Sequence, residues 1–209
     1  MNTKERLILS HYWNILTGES SIIRQEGILQ KVAILGSGST LAQVFTIIYA
    51  ILVARHLKPD GYGLFTATYT TLALSSVLYN WGLDTWLLRQ ASISNQPHKL
   101  LGDVYIIKSF FGLLWGGALY LGLPILGKNI FIFPLLTIGI FDVWFDSLFN
   151  SEIAMLNALR RNRLASSLLV ISRFARLIIA LGLILIGTKS PVTFALGRFS
   201  GTLFTLIIS

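Results

Sequence analysis

Four cationic residues, Lys108, Arg173, Arg176 and Arg198, interrupt long apolar runs of the chain. An ionised side chain at the centre of a bilayer costs about 3 kcal/mol on insertion scales, so one that persists there is expected to face a cavity or a partner. Arg173 and Arg176 stand three residues apart, which places both guanidinium groups on one face of a helix. Two such forks side by side suit a phosphate, whose oxygens accept paired charge-assisted hydrogen bonds. Asp142, Asp146 and Asn150 recur at four-residue intervals and form a polar stripe that must look toward protein or water. Asp142 lies at nearly the depth of Arg173 and is a candidate counter-ion for it, a proton or cation site for coupling, or both. One carboxylate neutralises only one of two arginines, so anion binding and a purely structural ion pair stay open side by side. Two carboxylates on one face of one helix do not flank a sugar, which argues against glycosidase chemistry. Lys108 lies near the end of its run, where a long stem can reach the headgroups, and is expected to snorkel.

Other runs offer similar faces. Gly36, Ser39, Gln43 and Thr46 share one side of the first, Ser76, Asn80 and Asp84 one side of the second, and Arg198, Thr202, Thr205 and Ser209 one side of the last. Together they imply a shared wet interior, although Ser and Thr also help membrane helices pack. Gly112 with Gly116, and Gly197 with Gly201, are small-x-x-x-small pairs that allow close helix approach. The stretch Gly36-Ser37-Gly38-Ser39-Thr40 lacks the lysine of a P-loop and reads as packing. Trp13, Trp81, Trp86 and Trp115 suit interfaces or packing, while Trp144 lies deep enough to be a candidate for a cavity wall. With no cysteine there is no disulfide framework, thiolate nucleophile or cysteine metal site, and His11, His56 and His98 are scattered. The sequence calls for no metal and no cofactor.

The elements that position these residues follow from composition. Of 209 residues 54% are hydrophobic and 12% charged, against about 25% charged in a soluble domain. An all-α, polytopic transmembrane bundle is the expected class, since a spanning helix needs about 20 apolar residues. Six spans are expected, at about 32–54, 64–84, 104–124, 130–151, 164–187 and 191–209. They are separated by turn chemistry at Lys58-Pro59-Asp60-Gly61, a polar stretch from Arg89 to Gly102, a charge block at Arg160-Arg161-Asn162-Arg163, and Thr188-Lys189-Ser190-Pro191. Residues 1–30 form a separate cytoplasmic or interfacial segment. Within it Ile8, Tyr12 and Ile15, with Leu9, Trp13 and Leu16, recur at helical spacing, as in an amphipathic helix lying on a membrane.

The net charge of +8 would raise nucleic-acid binding in a soluble chain, but here the charges fall between apolar runs and set topology instead. With the N-terminus inside, inner segments hold Lys4, Arg6, Arg24, Lys31, Arg89, Lys99, Arg160, Arg161 and Arg163, and outer loops only Arg55, Lys58, Lys128 and Lys189. Cytoplasmic loops carry the excess of Lys and Arg, so the N-terminus is expected in the cytoplasm. The last run ends flush with Ser209 after barely enough residues to cross, which suggests one part of a longer transporter or a truncated frame.

The run Lys31-Val32-Ala33-Ile34-Leu35-Gly36-Ser37-Gly38, then Val53-Ala54-Arg55-His56-Leu57-Lys58-Pro59-Asp60-Gly61-Tyr62-Gly63-Leu64-Phe65 and Asn80-Trp81-Gly82-Leu83-Asp84, resembles the start of bacterial lipid-linked oligosaccharide flippases. These belong to the multidrug/oligosaccharidyl-lipid/polysaccharide exporter superfamily. The loop Ala54 to Gly63 is the most specific piece, with Lys58 where the family commonly has glycine, and the resemblance covers about residues 31–209. It implies one lobe of a two-lobe inner-membrane transporter that moves undecaprenyl-pyrophosphate-linked glycans to the periplasmic leaflet. It also implies a cationic cavity for the pyrophosphate and sugar head, with the lipid tail left in the bilayer. Arg173, Arg176 and Arg198 match such a cavity by depth and helix, with Asp142 and Asp146 as coupling or counter-ion groups. The partners implied are a lipid-linked glycan, membrane lipids, a C-terminal lobe and glycan polymerase or other assembly proteins, with no nucleic acid. Two other readings stand beside the flippase: a membrane glycan polymerase or ligase, disfavoured because no loop exceeds about ten residues, and an inactive remnant.

Overall fold

The computed structural model describes residues 19–94, 96–126 and 132–208, with side chains over 36–94, 96–122 and 133–208. Every regular element among them is a helix: α1 (Glu19–Asn80), α2 (Leu83–Ala91), α3 (Pro97–Leu126), α4 (Ile132–Ala158), α5 (Asn162–Leu185) and α6 (Pro191–Ile208). The expected surface helix around Ile8, Tyr12 and Ile15 lies outside the described residues, and from Glu19 the backbone is already helical.

Helix α1 is two limbs. Lys58 has φ 62° and ψ 171°, and Pro59 follows inside the helix, removing a backbone donor and crowding the preceding turn. Tyr49 and Tyr69 line one and the same cavity, whereas a straight helix would hold them about 30 Å apart. The chain therefore folds back at Lys58, as the turn chemistry there predicts. Gly36–Asn80, 45 residues long, is thus length for two crossings, and with α3, α4, α5 and α6 it gives the expected six. By length and hydropathy Gly36–Asn80, Pro97–Gly122, Asn162–Leu185 and Pro191–Ile208 are fit to cross a membrane. Helix α4, 27 residues long, carries Asp142, Asp146, Asn150 and Glu152 along its otherwise apolar run.

Three boundaries differ from expectation, the fourth crossing running on to Ala158 rather than ending near 151. The second crossing stops at Asn80, where Trp81 (φ 38°) and Gly82 (φ 70°) break the helix. Asp84 then belongs to α2, a nine-residue helix that buries Leu87 and Ala91 against Val104 of α3 and Met155 of α4. The third crossing begins at Pro97 rather than near 104.

The turns alternate between two ends. His56 Nε2 lies 2.8 Å from the carbonyl oxygen of Thr188, so the Lys58 and Lys189 turns share one end. At the other, α2 packs beneath the turn at Arg160, whose φ is 59°. Between the ends, Val53, Leu57, Phe65, Leu135, Ala180 and Phe194 bring both limbs of α1 together with α4, α5 and α6. Close approach uses the small residues: a methyl on Gly112 would sit 2.8 Å from Trp144, and one on Gly201 2.8 Å from Cγ of Arg176. Between the two ends the outer surface is apolar, with Leu74, Leu78, Ile106, Leu121 and Ile207 exposed, while the charges at that depth, Lys108, Asp142, Asp146, Arg173, Arg176 and Arg198, turn inward. That inversion of the soluble pattern is what a lipid surround favours.

Candidate functional site

The inward charges meet where α4, α5 and α6 converge. Arg198 Nε donates to Asp142 Oδ2 at 2.7 Å, and the Thr202 hydroxyl donates to Asp142 Oδ1 at 2.6 Å. Arg176 Nη2 donates both to Thr202 Oγ1, at 2.9 Å, and to the carboxylate of Asp146. Arg173 Nη1 is 3.9 Å from that same Asp146 oxygen, within ion-pair range but beyond a hydrogen bond. Helical spacing explains the layout: Arg198 and Thr202, one turn apart on α6, both reach Asp142 of α4, while Asp146, one turn further along α4, meets Arg176 and Arg173 of α5. The guanidinium of Arg198 also lies 4.3 Å from the centre of the Tyr69 ring, a cation–π contact that orients it.

Charge does not balance in this group. Three guanidinium groups share two carboxylates, and Nε of buried Arg176 finds no hydrogen-bond partner among the described residues. The excess borders open space. A cavity of about 570 Å³ has Arg173, Arg176 and Arg198 on one wall and Ser39, Gln43 and Thr46 of the first α1 limb opposite. A second cavity, about 530 Å³, adjoins it through shared walls at Thr46, Tyr49, Asp146 and Arg198. Fixed guanidinium groups with spare donors beside such a volume can hold an oxyanion by forked, charge-assisted bonds. Among the described residues no group of three or more His, Asp or Glu side chains is placed to hold a metal ion.

Lys108 belongs elsewhere, and its expected snorkelling is wrong. It is 0% exposed, and its Nζ donates to Asp84 Oδ1 at 2.8 Å and to the carbonyl and hydroxyl oxygens of Ser147, both at 3.0 Å. Because α3 starts at Pro97, Lys108 lies about 16 Å into the helix, too deep to reach out. Ser151 donates to Asp84 at 2.7 Å and Ser147 to Asn80 at 3.1 Å, which completes the cluster.

The expected pairing of Asp142 with Arg173 is also corrected: Asp142 meets Arg198, and Asp146 holds Arg176 with Arg173 at its edge. Trp144 does not line either cavity. Two residues beyond Asp142 it points to the opposite side of α4, against Gly112 and Phe145. The polar faces of the first two crossings do reach the cavities, Ser39, Gln43 and Thr46 in the first, Ser76 and Asn80 in the second. Thr205 is buried on α6 and bonds its own helix carbonyls, and Ser209 lies outside the described residues.

Sequence reasoning missed the tyrosines. Tyr49, Tyr62, Tyr69 and Tyr79 all line the second cavity. The available signal was the seven-residue step from Tyr62 to Tyr69, in phase with Ser76 and Asn80, which marks one helical face.

A family model described as polysaccharide biosynthesis protein matches residues 28–209. The chain belongs to the polysaccharide biosynthesis protein family. It is a multi-pass membrane member of that family, since the match spans the helices that, among the described residues, are long and apolar enough to cross a bilayer. Neither a curated protein nor a solved structure gives a match.

Proposed function

We propose that this chain moves a polyprenyl-pyrophosphate-linked glycan, an O-antigen, capsule or exopolysaccharide precursor, across the bacterial cytoplasmic membrane by alternating access, without making or breaking covalent bonds. The observation that supports this most is the uncompensated cation: Arg173 has only the far edge of an already occupied carboxylate and faces the 570 Å³ cavity. A cavity with surplus positive charge favours a pyrophosphate over a cationic drug. Family membership supports a role in polysaccharide assembly. Asp142 and Asp146 hold the arginines in place, each engaged by guanidinium groups. Alternating access needs two halves that rock about a central site, so the cavity would work against a second lobe. The described turns put Arg89, Lys99, Arg160, Arg161 and Arg163 toward one end and Arg55, Lys58 and Lys189 toward the other. By the positive-inside rule the first end, and with it the N-terminus, is cytoplasmic.

The test is translocation in membrane vesicles from cells that express the chain, so that a second lobe is present, loaded with a fluorescent polyprenyl-pyrophosphate-linked oligosaccharide and read by accessibility to an impermeant quencher. Arg173→Ala is expected to slow transfer at least tenfold, the equivalent of one lost charge-assisted contact. Transfer unchanged by that substitution would remove Arg173 from the site.

A further inference from the structure

We propose that the second cavity is a carbohydrate subsite, holding the sugar next to the pyrophosphate; this rests on the glycan-lipid reading above. The two adjoining chambers differ in chemistry. The first is bordered by three arginines and one aspartate, whereas the second has only Arg198 and Asp146, one charge of each sign, both on the shared wall. Beyond that wall the second chamber is uncharged. Four of the seven tyrosines in the chain line it, with the amides of Asn80 and Asn150 and the hydroxyls of Thr66 and Thr70.

That is the surface a neutral polyhydroxylated ring requires. Aromatic faces cover the apolar C–H side of a pyranose, and a few fixed amides and hydroxyls meet its equatorial hydroxyls, since a side-chain amide both donates and accepts. Asn80 already accepts from Ser147 at 3.1 Å, which fixes its plane and leaves its amide hydrogens for a ligand. Tyr49 lines both chambers, so its side chain borders the junction. A ligand spanning the junction, anionic on one side and hydroxylated on the other, would lie against it. The volume, about 530 Å³, falls within the range of about 300–1,000 Å³ usual for small-molecule sites.

The experiment compares two probes on the full chain in phospholipid nanodiscs: polyprenyl pyrophosphate without sugar, and the same lipid carrying a neutral N-acetylhexosamine disaccharide. The sugar-bearing probe is expected to bind about tenfold more tightly, the equivalent of one or two net hydrogen bonds. Asn150→Ala and, separately, Thr70→Val should each lower affinity for the sugar-bearing probe about three- to tenfold while leaving the sugar-free probe unchanged. Equal affinity of the wild type for both probes would overturn the subsite, as expected if a lipid tail fills the tyrosine chamber, while leaving the phosphate reading intact. Loss of both affinities in both variants would also overturn it. No binding of either probe by the wild type would overturn the glycan-lipid reading itself.

Discussion

At one place in the bundle Lys108 and Asp84 meet at 2.8 Å, one cation and one anion, with Ser147, Ser151 and Asn80 satisfying the remaining polar atoms. At another, Arg173, Arg176 and Arg198 share Asp142 and Asp146 and border a cavity. Both clusters bury charge among apolar helices, yet only the second leaves charge over. The neutral cluster ties α2, α3 and α4 together and leaves no charge for a ligand, although the neutral side chains of Asn80 and Ser147 at its edge reach the second cavity. An open cluster with a surplus guanidinium is poorly suited to stability alone, since a buried ion pair rarely repays its desolvation even when balanced. Balance of charge, rather than burial, separates a structural charge from a functional one here.

Substitutions can break this contrast. The largest effect is expected for Asp84→Ala, which strands a wholly buried ammonium: stability should fall by about 3–5 kcal/mol, read from thermal unfolding in detergent. Adding Lys108→Met to the same protein should recover most of that loss, because the orphaned charge is gone. If the single and double variants unfold alike, Lys108 is not held as described.

A smaller effect, of opposite sign, is expected at the hairpin of α1, away from both clusters. Lys58 adopts φ 62° and ψ 171°, a region nearly confined to glycine. Lys58→Gly should raise stability by about 1 kcal/mol in the same unfolding measurement while leaving both clusters unchanged. A loss of stability instead would mean that the lysine stem makes contacts worth more than the backbone strain.

What the sequence revealed follows physical lines. Apolar run length sets the number of crossings, and Pro59 and Pro191 mark two turns, so six passes could be read directly. The nine residues of α2 were not separable from a polar loop, because Leu83–Ala91 is too short for periodicity to stand out. The depth of Lys108 is hidden for a related reason: Lys99 and Asp103 give the first two turns of α3 the composition of a loop, so the sequence does not show that the helix starts at Pro97. Spacing placed Arg173 and Arg176 on one face and Asp142 and Asp146 on another. It could not say which faces meet, since depth along an axis carries no information about rotation around it. That is why Arg173, a candidate partner by depth, is not the one Asp142 meets, which is Arg198. The tyrosine chamber depends on Tyr49 and Tyr69 being brought together by a reversal of the chain, a contact between positions that no local pattern encodes.

The central claim is that Arg173 is kept to hold an anion and not to hold the fold. It is tested most directly by titrating inorganic pyrophosphate onto the wild type and Arg173→Ala while recording Tm in the same samples. Affinity should drop about tenfold or more, with Tm in the absence of ligand nearly unchanged. A lowered Tm with pyrophosphate affinity intact would contradict the claim and make Arg173 one more structural charge.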